Sequence, residues 1–295
     1  MVLRTRTLIK VGLLTVLACV AACHDGPTRP HEYQPYPQQL YSPSADSHFV
    51  YFRDDGAAFD RPAGIYRLPI DGTAAPEAVV SSANAYFPNV RSDGSALAYV
   101  DLYHAVIVRD LSTGVSAEAL TADVVGLDWY DADTLVIDII DVGMYALGLS
   151  SGDTAKLWGA DGKFPAASPS GAVAFLRFVP DMIFVDSSLL LELHPDSPGS
   201  ATRLASFADE ELDYIDWSED EAAIALGRDR RGIPRIATME MPGQNIHDSL
   251  ALYAAEPRFM PDGRIIYVHL GDKSRRERDQ LWIMNRDGTG GQRIL

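Results

Sequence analysis

Beyond residue 40 the chain alternates short apolar runs with tight polar turns, and one arrangement of the two recurs. Residues 87–100 read F-P-N-V-R-S-D-G-S-A-L-A-Y-V, and 256–268 read E-P-R-F-M-P-D-G-R-I-I-Y-V. Looser copies stand at 41–52, 126–137, 164–175 and 214–226. In each, a few apolar residues enter an S-P-D-G-like turn, where Asp and Gly accept the tight backbone, and a β-rich run such as 96–100 or 265–268 follows. A third run is visible at 64–70, 105–111, 144–149 and 281–286, closed by turns such as Asp71-Gly72 and Asp287-Gly288, and a short outer run follows, as at 292–295. With Asp46, Asp93, Ala132, Ser170, Asp220 and Asp262 as anchors, the unit recurs at spacings of 47, 39, 38, 50 and 42 residues. A period near 40–45 is that of a four-stranded propeller blade. No long amphipathic helix is legible after residue 23. The pattern predicts an all-β fold, a six-bladed β-propeller of four-stranded antiparallel blades over residues 41–295.

The last unit, P-R-F-M-P-D-G-R-I-I-Y-V with the following Q-L-W-I-M-N-R-D-G-T-G-G-Q-R-I-L, and the second unit at 84–120 resemble the TolB-type propeller repeat. The resemblance covers about residues 41–295 and implies six blades. The α/β domain that precedes the TolB propeller has no counterpart in this sequence, and TolB is soluble and carries no lipid. The resemblance therefore implies the fold rather than the role.

The first 40 residues follow another grammar. Arg4, Arg6 and Lys10 precede the apolar run 11–22, V-G-L-L-T-V-L-A-C-V-A-A. Twelve residues rise only about 18 Å as a helix, short of the roughly 30 Å bilayer core, so the run reads as a secretory signal over 1–22. Val20-Ala21-Ala22-Cys23 resembles the lipobox of bacterial lipoproteins, which implies diacylation of Cys23 and its emergence as the mature N-terminus. The implied acyl chains, palmitate among them, exceed what stable membrane attachment needs. His24 follows in place of an Asp retention signal, which favours the outer membrane, facing the periplasm. Residues 23–40 hold the acylated Cys and a tether with four Pro, an extended polyproline-type spacer.

Charge and cysteine count narrow the function classes. The 295 residues carry 25 basic and 41 acidic side chains, a net charge of −16, which argues against nucleic acid as a partner. Loss of the signal leaves a formal charge of −19 and removes Cys19, so neither of the two cysteines belongs to the fold. The core alone must hold it.

In a propeller the innermost strands line a central channel, and the repeat register places Ser42, Asn89, Asp128, Ala166, Asp216 and Arg258 at equivalent points on it. Alternation sets that ring against the bulky Val90, Trp129, Trp217 and Phe259 that come next. Asp128 and Asp216, with the oxygens of Asn89 and Ser42, could hold a hard cation such as calcium; the plainer expectation is a solvated polar channel, its acids offset by Arg258, with no cofactor. A second ring, Asp54, Asp101, Ile139, Arg177, Arg228 and His269, ends the second strands, ahead of longer loops suited to recognition. The last of these loops holds Lys273, Arg275, Arg276 and Arg278, a solvated charge run or a dock for an acidic partner or lipid headgroups.

Catalytic motifs are weak. Gly148-Leu149-Ser150-Ser151-Gly152 matches the nucleophile elbow G-x-S-x-G, which requires a strand before it and a helix after it. It aligns instead with the turn Leu111-Ser112-Thr113-Gly114 of the preceding unit. The seven His show no metal-site spacing, and no phosphate-binding loop is present. The expectation is a monomeric, non-catalytic, lipid-anchored envelope protein that binds another, unidentified envelope protein. The alternative is a propeller enzyme or small-ligand binder acting on envelope carbohydrate or peptide through the channel face.

Overall fold

A computed structural model of the chain describes residues 41–54, 62–101, 104–179, 187–208, 210–230, 232–242, 245–271 and 279–295. The signal, Cys23, the tether and the basic residues Lys273, Arg275, Arg276 and Arg278 lie outside the described residues.

Twenty-four strands form six four-stranded sheets, each antiparallel and built from strands consecutive in sequence. Blade 1 is β1 (Tyr41–Pro43), β2 (Phe49–Asp54), β3 (Gly64–Pro69) and β4 (Glu77–Val80). Blade 2 is β5 (Tyr86–Val90), β6 (Ala96–Val100), β7 (Ala105–Asp110) and β8 (Ser116–Thr121). Blade 3 follows as β9 (Val124–Trp129), β10 (Thr134–Ile139), β11 (Gly143–Gly148) and β12 (Thr154–Lys156). Blade 4 comprises β13 (Gly162–Ala167), β14 (Val173–Val179), β15 (Ser187–Leu193) and β16 (Ala201–Phe207). The longest strands belong to blade 5: β17 (Glu211–Trp217), β18 (Ala223–Arg230), β19 (Ile233–Glu240) and β20 (Ile246–Leu252). Blade 6 ends the chain with β21 (Ala254–Phe259), β22 (Ile265–His269), β23 (Gln280–Met284) and β24 (Gln292–Arg293). The expected six-bladed, all-β propeller is what the chain forms.

The anchor positions sit in the turns between first and second strands, and their chemistry explains the recurrence. Asp46 accepts the His48 N–H at 3.0 Å and the Ser44 hydroxyl at 2.6 Å, and Asp93 accepts the Ser95 N–H at 2.9 Å. Asp220 and Asp262 accept from Ala222 and Arg264 in the same way, both at 3.1 Å. Each carboxylate holds its own turn. The stretch 148–152 is likewise a turn, from β11 into β12 with no helix after it, and Ser150 N–H donates to Asp133 at 3.0 Å. The nucleophile-elbow arrangement is absent there.

Apolar packing fills the seams between blades. Leu127, Leu135, Ile137 and Leu147 of blade 3 meet Ala98, Val100 and Val106 of blade 2. The ring closes where blade 1 meets blade 6. Val50, Phe52, Tyr66 and Leu68 pack on Met260, Ile266, Val268 and Ile283, with Ile294 and Leu295 against the same cluster. The Tyr41 hydroxyl donates to the Ile266 carbonyl at 3.0 Å and to the Glu256 carbonyl, and Asp262 N–H donates to Ser47 Oγ at 3.1 Å. Among the described residues every strand of blade 6 comes from 254–293, and none is exchanged between its sheet and that of blade 1. The outer strand expected over 292–295 is two residues long, after which Ile294 N–H turns to the Leu281 carbonyl at 2.9 Å.

Candidate functional site: the axial funnel

Five of the six innermost strands deliver a side chain to the axial funnel at the position the repeat register indicates; on the sixth, Ala166 packs into the seam between blades 4 and 5. Ser42, Asn89, Asp128, Ala166, Asp216 and Arg258 lie on β1, β5, β9, β13, β17 and β21. They do more than face a channel: most tie one blade to the next. Ser42 Oγ accepts the Val90 N–H at 3.0 Å, joining blades 1 and 2. Asn89 donates its amide to Asp128 Oδ1 at 2.8 Å and to the Leu127 carbonyl at 3.1 Å, and Trp129 Nε1–H returns a bond to the Asn89 carbonyl at 3.0 Å. Asp128 Oδ2 accepts the Ala167 N–H of blade 4 at 2.8 Å, while Oδ1 takes its own neighbour Trp129 N–H at 3.0 Å. Asp216 Oδ2 accepts the Phe259 N–H of blade 6 at 2.7 Å.

At three seams the residue after the ring position points its N–H at the preceding blade, where a side chain receives it: Val90 to Ser42, Ala167 to Asp128 and Phe259 to Asp216; Trp129 N–H instead bonds Asp128 of its own strand. Arg258 cannot accept, and it has no need to: the residue after Ser42 is Pro43, which has no N–H. Ala166 cannot accept either, and Trp217 Nε1, unlike Trp129 Nε1, has no hydrogen-bond partner among the described residues.

Charge at the floor is balanced among three groups. Arg258 donates to the Tyr214 hydroxyl at 3.2 Å, its guanidinium 5.6 Å from that ring. Burial alone would weaken the guanidinium's hold on its proton, but Tyr214, Asp216 and Asp128 outweigh it, and Arg258 stays cationic. Burial pushes the Asp216 carboxyl up to about 7; Arg258 opposes the shift and Asp128 adds to it. Asp128 is raised by burial too, against Arg258 and its three hydrogen bonds.

Above this floor a funnel of about 490 Å³ opens among the turns between first and second strands, and all six blades contribute to its wall. Beneath it the axis narrows to a void of about 10 Å³ between Phe87, Phe164, Tyr214 and Arg258, room for about one water. This neck was not anticipated from the sequence. Phe87 and Phe164 sit at positive φ, 54° and 52°, each before a Pro and at a register shift that turns the side chain inward. The signal was the repeated F-P at 87–88 and 164–165.

The second ring does not converge. Asp54, Asp101, Arg177, Arg228 and His269 end the second strands, at the far end of the blades from the funnel, and Asp101, Arg177, Arg228 and His269 are each tied nearby. Asp101 accepts the Ala105 N–H at 2.9 Å, Arg177 pairs with Asp161 at 2.6 Å, and His269 lies 5.6 Å from the Trp282 ring. Arg228 is buried within blade 5, where it and Arg235 bind Glu210 and Asp248. Asp54 is buried in blade 1. Among the described residues no group of three or more His, Cys, Asp or Glu is placed to hold a metal ion, and no helix is long and apolar enough to cross a membrane.

No family model matches the chain, and no curated protein matches it in sequence. Solved structures do match in fold. TolB from Acinetobacter baumannii superposes with a TM-score of 0.66 at 20% identity, over 85% of this chain and 64% of that one, so the chain spans less than two thirds of TolB's length. An oligogalacturonate lyase from Vibrio parahaemolyticus matches with a TM-score of 0.57 at 15% identity, over 86% and 76% of the two chains. A GH74 enzyme from Niastella koreensis gives 0.60 at 12% identity, over 87% and 45%. These likenesses show a TolB-like propeller fold shared by proteins of differing activity.

Proposed function

We propose that the chain is a lipid-anchored envelope protein whose funnel binds a segment of another protein without catalysis. One observation carries the proposal: the charged groups at the funnel floor are committed to closing the ring. Asp128 accepts three hydrogen bonds and Asp216 holds blade 6, so neither acid is placed as a free general base. Left for recognition is the mouth, whose turns carry Asp46, Asp131 and Glu219 against an Arg91 already paired with Asp93 at 2.9 Å. Such a mouth suits a basic or donor-rich polypeptide segment. The lipobox-like Val20-Ala21-Ala22-Cys23 supports the anchor, and the favoured site is the outer membrane facing the periplasm.

A photo-crosslinking residue at Ala45 or Glu219, on the funnel wall, should capture one discrete envelope protein in cells, whereas one at Ala117 on the outer edge of blade 2 should not. Equal capture at all three positions sinks the funnel proposal. Separately, Cys23→Ser should abolish palmitate incorporation; labelling that persists sinks the anchor.

A further inference from the structure

Six large apolar side chains stand exposed among the described residues, and four of them share one end of the propeller, away from the funnel. Val142, 45% exposed, caps the connection from β10 to β11; Ile233, 44% exposed, opens β19. Leu252, 50% exposed, ends β20, and Tyr253, 56% exposed, leads into β21. Single exposed apolar residues need no explanation, but Ile233, Leu252 and Tyr253 gather at one end of one blade. Tyr253 is also held in place: its backbone is left-handed at φ 52°, and its carbonyl accepts the Leu270 N–H at 2.7 Å. Most residues in that conformation are Gly, Asn or Asp in tight turns. Here it presents an amphipathic ring to water.

The same end receives the rest of the chain. β1 runs from Tyr41 toward the funnel, where Ser42, Pro43, Ser44 and Ala45 line the wall. Residues 1–40 therefore join the fold at the end that carries Val142, Ile233, Leu252 and Tyr253. We infer that this end rests on a zwitterionic lipid bilayer, with Tyr253, Leu252 and Ile233 in the headgroup boundary and the funnel turned away from the membrane. The inference rests on the lipid anchor proposed above. Seventeen residues, 24–40, separate Cys23 from Tyr41, and an anchor at that distance in the chain does not by itself choose which end of the propeller meets the membrane. Exposed apolar side chains and an interfacial Tyr supply the bias the tether lacks. The bilayer is taken as zwitterionic because, among the described residues at this end, the exposed acids Glu211, Asp123 and Asp141 outnumber the exposed base Arg177, and an anionic surface would repel them.

The test uses the full acylated chain in phosphatidylcholine–phosphatidylethanolamine vesicles containing nitroxide lipid. A fluorophore is placed on Val142→Cys at this end or on Val115→Cys, a still more exposed valine on the funnel side. Quenching at position 142 should exceed that at 115 severalfold. The gap should close in I233S/L252S/Y253S, whose melting temperature should stay that of the parent, and should shrink when phosphatidylglycerol is added. Equal quenching at both positions, or a gap indifferent to the triple variant, overturns the inference. A gap that widens with phosphatidylglycerol overturns the zwitterionic surface, and crosslinking of position 142 to one envelope protein makes this end a protein interface instead. Intact mass on the same samples separates the two proposals. Acyl mass without the gap defeats the docking alone; the gap without acyl mass keeps the docking and defeats the anchor.

Discussion

The seam between blades 2 and 3 and the seam between blades 4 and 5 solve one problem in two ways. At the first, Asn89, Asp128 and Trp129 satisfy one another across the inner ring. At the second, Ala166 leaves the inner ring empty of polar atoms, and the tie moves outward to the third strand of blade 4. There Ser188 Oγ accepts the Leu212 N–H and donates to the Glu210 carbonyl, both at 3.1 Å, and Ser170 N–H meets Glu221 at the turn. The apolar seam beneath them is continuous, from Leu176 and Leu190 to Leu212, Ile215 and Trp217. The contrast teaches that a propeller seam needs its buried donors met but not at one fixed position.

The largest expected effect is at the first seam. Asp128→Ala strands the Asn89 amide and two backbone N–H groups, and should cost about 2–4 kcal/mol in urea unfolding. Ser188→Ala removes a neutral acceptor and should cost only about 1–2 kcal/mol. Equal losses would erase the distinction between the seams. Next comes the indole pair. Trp129→Phe loses a made bond and should cost about 1 kcal/mol more than Trp217→Phe, whose Nε1 is unpartnered. A larger loss at 217 would mean that its indole N–H finds a partner in solution.

A gain is expected from Ala166→Ser, which offers an acceptor where Ser42, Asn89, Asp128 and Asp216 have one. It should raise stability by roughly 0.5–1 kcal/mol if the hydroxyl fits without displacing its neighbours. A loss would show that the packing at Ala166 leaves no room for an oxygen, and that the outward tie is obligatory.

A separate effect concerns pH. The Asp216 carboxyl titrates at about 7 in the fold against an ordinary 3.8, so between those values the folded chain keeps a proton that the unfolded chain has released. Stability therefore falls as pH rises through that window. Asp213, raised to about 7, and Asp138, raised to about 6, both chiefly by burial, act in the same direction. Asp216→Asn keeps an acceptor for Phe259 and should flatten the decline of the urea midpoint between about pH 4 and 7, leaving it unchanged near pH 4. An unaltered slope would place the titration elsewhere. The turn acids run the other way: Asp110, held down to about 2 by Ser112 and Thr113, contributes above the ordinary carboxylate range and loses its contribution only in strong acid.

Much of this was legible in the chain. The Asp-centred turns recur because each carboxylate serves its own turn, a local device that sequence spacing records faithfully. The register positions Ser42, Asn89, Asp128, Asp216 and Arg258 line the funnel, while Ala166 packs into the apolar seam between blades 4 and 5. What the ring does was not legible. Two acids with neutral oxygens beside them have the chemistry of a cation site, a solvated polar channel being the plainer expectation, and neither reading names the seam bonds that Asp128 and Asp216 make. Their actual partners are backbone N–H groups of the next blade, about 40 residues away, and no sequence pattern marks a backbone donor.

The sequence by itself determined the unit: strand, Asp turn and strand, repeated six times, with 40 residues of different composition ahead of it. Local hydrogen bonding and the two-residue period of a strand are short-range, so they are written in short stretches of residues. Only the tertiary structure decided that Pro43 excuses Arg258 from accepting, that Phe87 and Phe164 close the neck, and that Tyr253 shares an end with the start of β1. Each of these depends on which blades become neighbours and which way their strands run once the ring is closed.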